Sequence, residues 1–111
     1  MPDFDATKAI YDRACAAAGI ERKGKNLVYT SANGHMFSQM NKAGELGVRL
    51  PKDRQQAMGE EHGAGPFKSY GATMRDYICF TDEMLMDEAR VAALLKEGLA
   101  FVESLPPGNK K

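Results

Sequence analysis

Asn33-Gly34 is the feature that most constrains this chain, because it separates two runs that read as strands. Asn-Gly supplies two successive residues tolerant of positive φ, which a two-residue hairpin of the I′ type requires. Before it stands Asn26-Leu27-Val28-Tyr29-Thr30-Ser31, rich in β-branched and aromatic residues. After it, His35 to Asn41 reads as a second strand. Lys42-Ala43-Gly44 marks another turn, and Leu46, Val48 and Leu50 then alternate with Gly47 and Arg49. That alternation predicts one buried and one wet face. Residues 26–50 are therefore predicted to form a three-stranded antiparallel meander.

Helical spacing appears on both sides of the meander. Ile10, Tyr11, Ala14, Cys15 and Ala18 recur at intervals of three and four, with Phe4 and the half-polar Thr7 continuing the stripe. Asp3 or Asp5 can cap this helix, and Gly19 can end it in the left-handed conformation. A polar, basic connector spans 20–25. Pro51 suits the first turn of a second helix, with Asp53 near its positive end and Gly63 after His62 as its stop. Its apolar face is thin, mainly Ala57 and Met58, and Gly59 costs ~1 kcal/mol against Ala.

Residues 63–75 are dense in turn chemistry, with Gly63, Gly65, Pro66 and Gly71. Residues 66–70 read as a short edge strand and 75–81 as a better one, with Ile78 and Phe80 on one face. Thr81 or Asp87 then caps the last helix, with Met84 and Leu85 in a leading turn. Val91, Leu94, Leu95, Gly98, Phe101, Val102 and Leu105 form the strongest helical stripe in the chain. Pro106-Pro107-Gly108 stops it, leaving 106–111 as a flexible polar tail to a single domain over 1–105. The order α-β-β-β-α-β-β-α predicts a two-layer α+β sandwich, an antiparallel sheet with helices on one face.

Composition limits the partners. Fifteen Lys and Arg balance fifteen Asp and Glu. Phosphate neutralisation supplies most nucleic-acid affinity, so a neutral chain makes nucleic acid an unexpected partner. Arg22-Lys23-Gly24-Lys25 and Lys110-Lys111 are short enough to read as solvated loop and tail charges. No apolar run reaches the ~18 residues of a membrane span, and Met1-Pro2-Asp3-Phe4-Asp5 has no apolar leader core. A cytoplasmic location is expected. Seven Met in a chain without Trp are read first as core filler and second as an adaptable contact surface.

Catalytic constellations fail one by one. His35 follows a hairpin Gly and should be exposed, whereas His62 suits a helix C-terminus. Neither has a nucleophile at recognisable spacing. Cys15 and Cys79 read as separate core thiols, without the paired short spacings a zinc site needs. Gly63-Ala64-Gly65-Pro66 lacks the helix and Lys-Ser/Thr of a phosphate loop. No enzyme activity, metal or cofactor is expected. Lys68, Tyr70, Arg75 and Tyr77 interleave basic and aromatic side chains. Arg49, Lys68, Tyr70 and Arg75 are the candidate ligand or partner surface.

A family resemblance joins these segments. Gly34-His35-Met36-Phe37, followed by Gly44-Glu45-Leu46 and Val48-Arg49-Leu50-Pro51, is similar to the central strands of the TfoX N-terminal domain family. Gly63-Ala64-Gly65-Pro66-Phe67, followed by Gly71, Met74 and Tyr77, resembles that family's second half. The likeness spans most of the chain. It implies the element order already read, with a five-stranded antiparallel sheet and helices packed on it. The family takes its name from regulators of natural competence in bacteria, and the resemblance implies no catalytic residues. Regulator-type members carry a second, C-terminal domain; the expectation here is a stand-alone domain of that type.

Three roles follow as expectations. The first is a non-enzymatic regulatory or interaction domain, acting through a protein partner or as a homodimer. The second is a small-anion binder or minor enzyme using 63–77. The third is weak nucleic-acid binding.

Overall fold

A computed structural model describes the backbone of residues 4–22, 28–41, 43–69 and 72–106, and the side chains of all of these except Ser69 and 72–75. Its elements are α1 (Phe4–Ala18), β1 (Tyr29–Ala32), β2 (His35–Met40), β3 (Leu46–Arg49), α2 (Lys52–His62), β4 (Gly65–Ser69), β5 (Ala72–Cys79), α3 (Asp82–Leu85) and α4 (Glu88–Ser104). The strands form one antiparallel sheet in the order β1-β2-β3-β5-β4. The expected α+β architecture is present. The leading turn of the last helix is a separate short helix, because Thr81 and Asp87 both cap: Thr81 Oγ1 accepts from Met84 N–H and Asp87 Oδ1 from Arg90 N–H.

The turns follow their residue chemistry. Asn33 and Gly34 take φ 54° and 78°, and Ala32 faces His35 across the two-residue hairpin. Gly63 ends α2 at φ 71°, its N–H donating back to Gly59 O. The predicted first strand begins later than expected, at Tyr29, and Asn26 and Leu27 lie outside the described residues. So do Asp3, Lys23 to Lys25, Lys42 and 107–111.

Helices cover one face of the sheet. The register places Thr30, Ser38, Val48 and Ile78 in one row across β1, β2, β3 and β5, and this row faces the helices. Tyr11 of α1 bonds Ser38 there, and Ser38 bonds Thr30, a buried hydroxyl chain. Gly98 lets α4 lie directly on the strands: a Cβ there would stand 2.9 Å from Val48 Cγ2 and 3.0 Å from Arg49 O. A bulge skips Phe37 between the Thr30–Ser38 and Ser31–Met36 pairs, and Phe37 packs toward Gly98. Met40, Met58 and Met84 fill this core, which is the filler role expected of them. Among the described residues no helix is long and apolar enough to cross a membrane.

The other face departs from expectation. Gly47 was predicted wet and is buried. The ring of Phe67 lies on it, so that a Cβ on Gly47 would come within 2.6 Å of Phe67 Cδ1. Phe67 belongs to edge strand β4, with β5 between it and β3 in the sheet. The strand can reach this far because the β4–β5 register slips between Pro66–Ile78 and Lys68–Thr73. The extra length lies on β5, where Asp76 takes φ 64°. Phe67 and Lys68 thus reach past β5 to Gly47 and the β2–β3 turn, on the face opposite the Val48–Ile78 row. Asn41 fixes the strand there, with Nδ2 donating to Lys68 O at 2.7 Å.

Candidate functional site

The four surface residues expected from sequence are only partly brought into view. Tyr70 and the side chain of Arg75 lie outside the described residues. Lys68 is exposed, and its carbonyl is held at the β2–β3 turn by Asn41. Arg49 stands at the opposite end of β3, so the structure does not draw these two into one contact.

Arg49 has the more developed surroundings. Its register partner is Tyr77, and its nearest carboxylate is Asp76, with Nη2 3.7 Å from Oδ2. Its guanidinium carbon lies 5.6 Å from the centroid of the Phe101 ring, a cation–π distance. Nε is buried without a hydrogen-bond partner among the described residues. Asp76 is oriented by two neighbours: its carbonyl accepts from Leu50 N–H, and Gln55 Nε2 lies 3.5 Å from its Oδ1. The left-handed backbone at Asp76 aims this carboxylate back at Arg49.

Gln39 adds a second orphan donor on the same face. It pairs with Gly47, is 1% exposed, and its Nε2 makes no hydrogen bond of good geometry among the described residues. Tyr77 lies between the two, its hydroxyl donating to Met36 O at 2.9 Å and its ring stacked on Phe67 with centroids 5.8 Å apart. Burial pushes the Tyr77 hydroxyl up to about 12, against smaller opposing pulls from Gln39 and Arg49. Sequence reading placed Arg49 and Tyr77 near a surface but missed Gln39. No sequence signal marked it: Gln39 pairs with Gly47 on the face expected to be wet, where an amide would be solvated.

Both thiols are raised by burial, Cys15 to about 12 and Cys79 to about 11, the latter with help from the carboxylates of Glu45 and Asp82. Reactive thiols are depressed into the opposite range. Burial also raises Tyr11. His35 is half-buried rather than exposed, because Nε2–H donates to Pro106 O at 2.8 Å and ties the hairpin to the end of α4. Asn33 does the same through Nδ2, donating to Val102 O and Leu105 O, each at 2.9 Å. Among the described residues, no three His, Cys, Asp or Glu gather as a metal set.

A separate small cleft opens between the start of α1, the β2–β3 turn and the start of α3. It has about 160 Å³ of room and is lined by Thr7, Gly44, Glu45, Phe80, Asp82 and Leu85, among others. No family model, curated protein or solved structure matches the chain.

Proposed function

We propose that this chain is a small non-catalytic regulatory or interaction domain resembling the TfoX N-terminal domain, working through a protein partner or as a homodimer. The observation that supports this reading is what the residues of the resemblance do. Gly44 and Gly63 take positive φ, Leu46, Val48 and Leu50 are core, and Phe67 stacks on Tyr77. They build a scaffold, and the thiols beside them are held protonated by burial. Met86, 79% exposed at the α3–α4 junction, offers one adaptable apolar contact. Light scattering on the purified chain, with a pull-down from its source cell, tests the reading. A dimer or a retained stoichiometric partner is expected; a strict monomer that retains nothing would sink it.

The second reading, recognition of a small anion, is favoured by one observation. Arg49 carries a buried Nε with no hydrogen-bond partner among the described residues, beside the Asp76 carboxylate at 3.7 Å. A guanidinium so placed can take a planar carboxylate or a phosphate oxygen. A thermal-shift screen with phosphate, citrate and nucleotides is the test, since a ligand at 100 times its Kd adds ~2.7 kcal/mol. A shift lost in Arg49→Gln is expected. A melting temperature indifferent to every anion would remove the idea.

A further inference from the structure

We propose that Asn33 is a site of spontaneous deamidation, and that its conversion to aspartate or isoaspartate releases the end of α4 from the β1–β2 hairpin. The proposal is independent of the function proposed above.

The chemistry starts from the sequence. Asn33-Gly34 is the one Asn-Gly pair in the chain. Glycine has no side chain to shield its own nitrogen, so the Gly34 backbone nitrogen can attack Cγ of Asn33. An N–Cγ bond forms and the Cγ–Nδ2 bond breaks. The amide nitrogen leaves as ammonia, carrying the proton that the Gly34 nitrogen gives up. Water then opens the five-membered imide at either carbonyl. One opening yields aspartate, the other isoaspartate, whose main chain runs through Cβ and Cγ. Water is the only co-reactant, and it reaches the pair because Asn33 and Gly34 are both exposed. The other three asparagines precede Leu27, Lys42 and Lys110, whose side chains crowd the attacking nitrogen.

The place of Asn33 in the fold gives the reaction its consequence. Nδ2, the atom that leaves, donates to Val102 O and Leu105 O, each at 2.9 Å. Beside it, His35 Nε2 donates to Pro106 O at 2.8 Å. Two of these three bonds therefore run through the leaving nitrogen. Val102 stands in the last turn of α4 and Leu105 caps it, where carbonyls gather and the helix dipole is negative. An amide meets that end as a donor. A carboxylate has no N–H to offer and brings a negative charge to it. Conversion thus turns an attraction into a repulsion at the same position. Isoaspartate also adds a main-chain atom to the two-residue turn, and the Ala32–His35 pairing depends on the length of that turn.

The fold in turn restrains the chemistry. Asn33 and Gly34, at φ 54° and 78°, follow a I′ turn. Imide closure needs the Gly34 nitrogen and the Asn33 side chain on one side of the Asn33 Cα–C bond, and a I′ turn sets them nearly opposite. The side chain is also drawn toward α4 by its two hydrogen bonds. The turn must open before the ring forms, so deamidation records each opening of the hairpin that goes on to react. Loss of ammonia makes the record permanent.

The test is ageing of the intact chain at mildly alkaline pH, native and in guanidinium chloride. Peptide mapping then resolves asparagine, aspartate and isoaspartate at position 33. Conversion is expected about 10-fold more slowly in the native chain, the factor that one to two hydrogen bonds supply. The aged native chain, separated by its added negative charge, should lose amide-exchange protection over 102–105 and melt below fresh chain. Asn33→Asp should melt below Asn33→Gly, which suits the positive φ and lacks only the amide. Equal rates in the two solvents would overturn the proposal, as would a native chain that never converts. So would an aged chain that melts and exchanges like the fresh one, or an Asn33→Asp variant as stable as Asn33→Gly.

Discussion

The two faces of the sheet are closed by different means. On one, α1 and α4 lie over Val48, Ile78 and Phe80, and the polar groups beneath them are joined in the Tyr11–Ser38–Thr30 hydroxyl chain. On the other, the described closure comes from strand β4, which sets Phe67 on Gly47. There Nε2 of the buried Gln39 makes no hydrogen bond of good geometry among the described residues. Helices bring their own satisfied backbone and a broad apolar stripe. An edge strand brings one ring and leaves polar neighbours to settle as they can. Closure by a single aromatic should therefore be the more fragile of the two.

The largest effect expected is on the Gly47 side. Phe67→Ala removes the ring that seals Gly47 and should cost ~3–5 kcal/mol, read from the urea midpoint. A cost under ~1 kcal/mol would mean that the second face is not held by this ring. Gly98→Ala is the matching probe of the helix side. The added methyl meets Val48 and a backbone oxygen, so overpacking of ~1–3 kcal/mol is expected, partly offset by ~1 kcal/mol of helix propensity. If it stabilises instead, α4 can lift off the sheet and the helix face is the softer one.

The two thiols compare the faces by chemistry. Burial raises both thiols, Cys15 at 2% exposure to about 12 and the half-buried Cys79 to about 11, so Cys79 is the more accessible and the less strongly raised. Iodoacetamide at pH 10 with mass detection should therefore label Cys79 first, because the thiolate is the nucleophile. The sign for stability is set by the same shifts. Below the ordinary thiol value of 9.0 both states keep their protons. As pH climbs through 11 and 12 the unfolded chain has lost protons that the folded chain still holds, so stability falls. A melting temperature flat from pH 8 to 11 would contradict it. The smallest effect should come from Tyr11→Phe. It breaks one buried hydroxyl bond and leaves Thr30 and Ser38 paired, for ~1 kcal/mol by thermal melting.

The helix face was largely legible in the sequence. The stripe from Val91 to Val102 is long and strictly spaced, and Asn33-Gly34, Gly44 and Gly63 each mark a position where φ must be positive. Local chemistry specified those features. The Gly47 face was not legible, since the alternation around Gly47 describes one strand and says nothing about a ring arriving from two strands away. Nothing in the run Met74-Arg75-Asp76 signals a register slip. The candidate site fared similarly. Arg49 was found, but Gln39 and the cleft at Thr7, Glu45 and Asp82 depend on contacts distant in sequence. Thr7 did leave a trace, as a half-polar member of an apolar stripe whose hydroxyl had no evident place to go.

Asn41 holds Lys68 across 27 positions of chain, and this sets an order in time. During synthesis the meander, which ends at Leu50, leaves the ribosome before Phe67 and Lys68 do. The bare strip at Gly47 must wait for them. α4, which covers the other face, comes later still, so the newborn chain passes through a stage with neither sheet face closed, and unsealed strands are where growing chains aggregate. The Asn41 side chain, already held by Glu45, is the fixed point on which the later hairpin lands.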